Sequence, residues 1–113
     1  MAKLQCELRG RFDAIVNTIE SGIVNSGVSA SKEDSSSFYG ENSRCTVLVF
    51  ERYSMLGDNR VSLNVTLYET GDHIYMSAIA AGGSQAMLFK LNTFGESAFL
   101  DVLKKVIKPF QLY

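Results

Sequence analysis

The chain has 113 residues, 46% of them hydrophobic, and a formal net charge of -1 from 11 Lys and Arg against 12 Asp and Glu. That length fits one domain around one core, burying roughly two-thirds of the unfolded surface, and the charge balance supplies no positive field for a polyanion, which disfavours general nucleic-acid binding. No run approaches a membrane span and the first residues lack the apolar stretch of a signal peptide, so a cytoplasmic location without membrane contact is expected.

In chain order, Leu4, Cys6 and Leu8 alternate with Lys3, Gln5 and Glu7, the period of a half-buried strand, and Gly10 ends it. The period then changes. Phe12, Ile15, Val16, Ile19 and Ile23 fall at helical spacing from Arg11 to about Val24, and Asn25-Ser26-Gly27 stops the helix. Val28 to Lys32 reads as a short strand running into a polar, solvated loop through Ser35-Ser36-Ser37, anchored by Phe38 and Tyr39.

Four strands are expected next: Arg44 to Tyr53, Arg60 to Glu69, His73 to Ala81 and Gln85 to Leu91. Thr70-Gly71-Asp72-His73 places Gly first of two central residues, as a type II′ hairpin prefers, so Tyr68 should face Tyr75 and Val65 should face Ala78. A second tight turn at Gly82-Gly83-Ser84 would set Ala78 opposite Met87 and Met76 opposite Phe89. Thr93-x-x-Glu96 has the form of a capping box opening a final helix, in which Phe99, Leu100, Leu103, Val106 and Ile107 form the apolar stripe. Pro109 ends that helix, and Phe110, Leu112 and Tyr113 are expected to pack on the domain or a partner.

The order predicts an α+β two-layer sandwich: a mainly antiparallel sheet in β-α-β(4-5)-α order with both helices on one face, forming a single domain over residues 1–113. Topologically it resembles TATA-binding-protein-like folds and a minimal helix-grip fold. A closer resemblance rests on Ser62-Leu63-Asn64-Val65-Thr66-Leu67, Gly82-Gly83-Ser84-Gln85-Ala86 and Lys90-Leu91-Asn92-Thr93-Phe94-Gly95-Glu96-Ser97-Ala98-Phe99-Leu100, which are similar to a small bacterial family of uncharacterised proteins. That resemblance implies a bacterial, cytoplasmic origin and carries no activity with it.

The inventory for catalysis is poor. His73 is the only histidine and sits beside a hairpin turn, and no Ser-His-Asp, Cys-His or HExxH arrangement occurs. Cys6 and Cys45 belong to no metal or redox spacing and read as buried free thiols. Gly82-Gly83-Ser84-Gln85 lies between expected strands and opens no helix, so it reads as a turn and not a phosphate loop. No enzymatic activity, cofactor or metal is expected.

The faces of the sheet are more informative. The alternation assigns Cys45, Val47, Val49, Val61, Leu63, Val65, Leu67, Ile74, Met76, Ala78, Ala80, Met87, Phe89 and Leu91 to an inner face under the helices. The outer face would carry Arg44, Thr46, Leu48, Phe50, Arg52, Arg60, Ser62, Asn64, Thr66, Tyr68, Tyr75, Ser77, Ile79, Leu88 and Lys90, neither dry nor fully wet, with an apolar, aromatic patch rimmed by arginines. Such a face suits a homodimer packed sheet to sheet, with Leu48, Phe50, Arg52, Arg60, Tyr68, Tyr75, Ile79 and Leu88 as interface candidates. A carrier of a small apolar ligand is the alternative, its cavity lined by Ala78, Ala80, Met76, Met87 and Phe89. Single-stranded nucleic acid stacked on the open sheet ranks third.

Overall fold

Alternating apolar residues produce strand β1 (Ala2–Leu8), and the helical spacing that follows produces α1 (Phe12–Val24), which buries Phe12, Ile15, Ile19 and Ile23. The computed structural model describes residues 1–27, 29–54, 59–82 and 89–112. Strands β2 (Ala30–Gly40), β3 (Ser43–Ser54), β4 (Asn59–Thr70) and β5 (His73–Gly82) follow, then α2 (Phe89–Ile107) and a short 3-10 turn, Lys108–Phe110, that carries Pro109. The five strands form one antiparallel sheet in the order β1-β5-β4-β3-β2. Thus β2 to β5 make a meander, and the first strand closes the sheet beside the last.

One sheet face carries Leu48 and Phe50 of β3, Val61, Leu63, Val65 and Leu67 of β4, and Ile74, Met76, Ala78 and Ala80 of β5, all buried. These residues and the buried side chains of both helices, among them Phe99, Leu100, Leu103 and Ile107 of α2, belong to one contiguous cluster. Full burial of a residue such as Phe50 or Leu48 stabilises the fold by about 1.5–3 kcal/mol. The helices also meet directly, at Gly22 of α1 and Val106 of α2.

The β4–β5 hairpin has the expected register, with Tyr68 opposite Tyr75 and Val65 opposite Ala78, and Gly71 takes φ +57° at its turn. Elsewhere the structure corrects the sequence. The serine run is no loop: Ser35, Ser36 and Ser37 lie within β2, paired to Leu48, Val47 and Thr46. Residues Phe89 to Leu91 are helical, so Phe89 does not pair with Met76 in a strand, and the rest of the fourth expected strand, with the Gly82-Gly83-Ser84 turn before it, lies outside the described residues from residue 83 on. The other neighbour of β5 is β1, with Leu4 opposite Ala78 and Cys6 opposite Met76. Thr93 falls inside α2, and Glu96, 4% exposed, accepts the Gly82 N–H at 2.7 Å and pairs with the Met1 ammonium at 2.7 Å instead of capping a helix. Met87 and Leu88 lie outside the described residues.

The face assigned to β3 is also reversed. Leu48 and Phe50 stand opposite Val65 and Leu63 and are 1% and 0% exposed, while Cys45, Val47 and Val49 occupy the other face. The run Val47-Leu48-Val49-Phe50 is apolar throughout and has no alternation from which to read a side. The pairing with β4 decides it, and the larger residue of each neighbouring pair goes inside. Arg52 follows them inward, its guanidinium 5.9 Å from the centre of the Phe99 ring. Arg44 also lies on the inner side, where it stacks on Phe12 at the start of α1.

Among the described residues, no helix is long and apolar enough to cross a membrane.

Candidate functional site

Antiparallel pairing places directly opposed residues on one face, so the face away from Leu48 and Phe50 can be built row by row. Phe38, Cys45, Tyr68, Tyr75 and Glu7 form one row across all five strands. Ser36, Val47, Thr66, Ser77 and Gln5 form the next, and Asp34, Val49, Asn64, Ile79 and Lys3 a third. Charge is confined to the ends of these rows, on the two edge strands. The three central strands contribute only uncharged side chains to them.

Phe38, Tyr68, Tyr75 and Ile79 are exposed, at 69%, 43%, 43% and 38%. A shallow groove of about 400 Å³ runs beside Gln5, Thr66, Tyr68, Tyr75 and Ser77. At the β4–β5 turn, His73 stacks on Tyr75 with ring centres 5.9 Å apart, and its Nδ1 lies 2.9 Å from Glu7 Oε2. Further along the sheet, Arg60 donates to Glu51 at 2.9 Å.

Of the residues expected on this face, Tyr68, Tyr75, Ile79 and Arg60 are there, and Leu48, Phe50 and Arg52 are not. The structure supplies Phe38, Cys45, Val47 and Val49 in their place. From sequence Phe38 reads only as the anchor of a polar loop, and Val47 and Val49 read as core residues. The change weakens any electrostatic appeal to a phosphate backbone, because Arg44 and Arg52 point to the core side and Arg60 is already paired with Glu51.

Of the residues named for an internal ligand cavity, Met76, Ala78 and Ala80 share the buried face of β5, and Met87 lies outside the described residues. Ala78 and Ala80 are fully buried against the cluster shared with the helices, Met76 is 2% exposed, and Phe89 belongs to α2. Two small side chains in that position let a helix approach the sheet closely. Among the described residues, no three His, Cys, Asp or Glu side chains converge as metal ligands would. Both cysteines are free, and burial pushes the Cys6 thiol above its ordinary range.

Fold and site together define an α+β sheet-and-helix protein with an uncharged, partly aromatic strip across its open sheet. The chain matches the DUF6054 family of unknown function over residues 1–111 and belongs to it. No curated protein and no solved structure matches it.

Proposed function

We propose that this chain is a non-enzymatic binding and assembly module in which two copies associate through the open sheet face. The observation that supports it is the uncharged strip, which joins exposed aromatic and β-branched residues and carries charge only at its two ends. Two such sheets packed about ten ångströms apart, on a two-fold axis parallel to the strands, are self-complementary. That axis sets the β1 edge of one copy over the β2 edge of the other, and Lys3 then faces Asp34 of the partner subunit.

Sedimentation tests this reading. The chain is expected to dimerise at micromolar concentration, and Tyr75→Asp or Val47→Asp is expected to weaken the dimer at least tenfold without altering the far-ultraviolet circular dichroism. Phe50→Asp is not a usable probe, because Phe50 lies in the core. A strict monomer at high micromolar concentration, unchanged by these substitutions, removes the basis of the proposal.

A further inference from the structure

The two edges of the sheet are treated differently. Beside β1, the chain's own C-terminal residues cover the end of the edge from Glu7 to Arg9: Gln111 pairs with Leu8, the Arg9 N–H donates to the Phe110 carbonyl at 2.7 Å, and the Leu112 N–H donates to the Glu7 carbonyl at 2.9 Å. Lys3 and Glu7 add charge along the same strand. At the opposite edge every residue of β2 except Ala30 is exposed.

Folded proteins protect a free edge with charge, a bulge, proline or a cover, because its outward N–H and C=O groups otherwise pair with another strand. The first part of β2 has such protection, with Lys32, Glu33 and Asp34 and a register shift between Lys32 and Asp34. From Ser35 to Gly40 there is none. This stretch is extended, contains no charge and no proline, and bears Phe38 and Tyr39 at 69% and 76% exposure.

We infer that the Asp34–Gly40 edge is a second contact between copies of this chain, formed by antiparallel pairing of β2 with β2 about a two-fold axis at Ser37. The partner is a second copy for two reasons. The extended stretch between the bulge and the Gly40–Ser43 turn, Asp34 to Gly40, is centred on Ser37, and its one charged residue, Asp34, then falls opposite Gly40 of the partner subunit. In that register Ser36 faces Phe38 of the partner subunit, Ser35 faces Tyr39 of the partner subunit, and no like charges are opposed. The two Phe38 rings then lie on one face as diagonal neighbours, within aromatic reach. The second reason is that the β1 edge is covered from Glu7 to Arg9 and carries Lys3, so β2 offers the long uncharged edge, and pairing of like edges closes at two copies.

The inference rests on the assembly reading but uses the backbone edge of β2 in place of the sheet face, with Asp34, Ser36 and Phe38 common to both, and a chain making both contacts assembles beyond a dimer. Ser37→Cys tests it. Directly opposed residues in antiparallel strands have Cβ atoms about 5 Å apart, near enough for a disulfide with little movement. Mild oxidation is expected to give a covalent dimer whose linked peptide joins residue 37 to residue 37, whereas Ser35→Cys gives no 35-to-35 link. Ser37→Lys, which opposes two ammonium groups, is expected to weaken the edge contact at least tenfold, and Ser37→Thr to preserve it.

Absence of the 37-to-37 link, or an association constant indifferent to Ser37→Lys, overturns the edge contact. A 37-to-37 link that persists while Tyr75→Asp has no effect overturns the face contact instead. Ser37 is exposed, so circular dichroism should show these variants folded alike.

Discussion

Gly22 of α1 packs directly on Val106 of α2: a Cβ built on Gly22 would lie 2.7 Å from Val106 Cγ1 and 2.8 Å from Cγ2. Glycine inside a helix ordinarily costs about 1 kcal/mol relative to alanine. Here the contact outweighs that preference, because valine is stiff at χ1 and cannot withdraw. Gly22→Ala should therefore destabilise the protein by about 1–3 kcal/mol, the usual range for overpacking. Gly22→Ala combined with Val106→Ala should recover much of the loss. Denaturant titration of the two single variants and the double variant measures the coupling, and additivity would refute the contact.

Arg44 joins the start of α1 to the sheet. Its guanidinium lies 4.2 Å from the centre of the Phe12 ring and donates to Asp13 and Glu69, each at 3.1 Å. A lysine keeps the charge but loses the planar stacking and the second donor. Arg44→Lys should lower stability by about 0.5–2 kcal/mol. Asp13→Asn should change it little, since Asp13 is largely exposed and such pairs are weak. Thermal melts of the two variants separate these contributions.

The facing of β3 can be tested through adjacent residues. Phe50 is 0% exposed, and Phe50→Ala should cost about 3–5 kcal/mol. Val49→Thr, one residue away on the open face, should cost under about 1 kcal/mol. The opposite ranking in urea unfolding would mean that β3 faces the other way.

Cys6 supplies a pH dependence. Burial raises its folded-state thiol pKa, so the folded chain holds that proton more tightly than the unfolded chain does. The contribution is fully present below the unfolded thiol pKa of about 8.5 and is lost as pH rises from there through the raised folded value. Stability should fall over that interval, and Cys6→Ala should reduce the slope. Urea midpoints measured at pH 7 and above provide the comparison.

Where one physical signal dominated, the sequence could be read directly. β1, α1 and β4 carry a clean period of two or of 3.6, and Gly71 set a turn whose length fixes the register of β4 on β5. The misread segments carried two compatible signals or none. In β3, Val47 to Phe50 suits either face, and the choice was made by pairing partners distant in sequence. β2 is wet on both sides, so it needs no apolar alternation and has the composition of a loop. Phe89 and Leu91 alternate as in a strand, while Thr93-x-x-Glu96 has the form of a helix start that α2 has already passed. The open face inherited these uncertainties. Tyr68, Tyr75 and Ile79 could be placed because their hairpin could be placed, whereas Phe38 and Val47 depended on the two strands that could not.

The strand order also governs how the chain reaches this structure. Pairing within the β2–β5 meander joins neighbours in sequence and requires only short loops to close. Pairing of β1 with β5 joins Ala2 to Ala80 and must close most of the chain first. The meander should accordingly assemble early and β1 dock late, carrying α1 into place with it. Core substitutions in β4 would then slow refolding, while those in β1, such as Leu8→Ala, would mainly hasten unfolding. Until β1 docks, β5 presents its backbone to solvent, and that interval is when a newly made chain is most exposed to pairing with another.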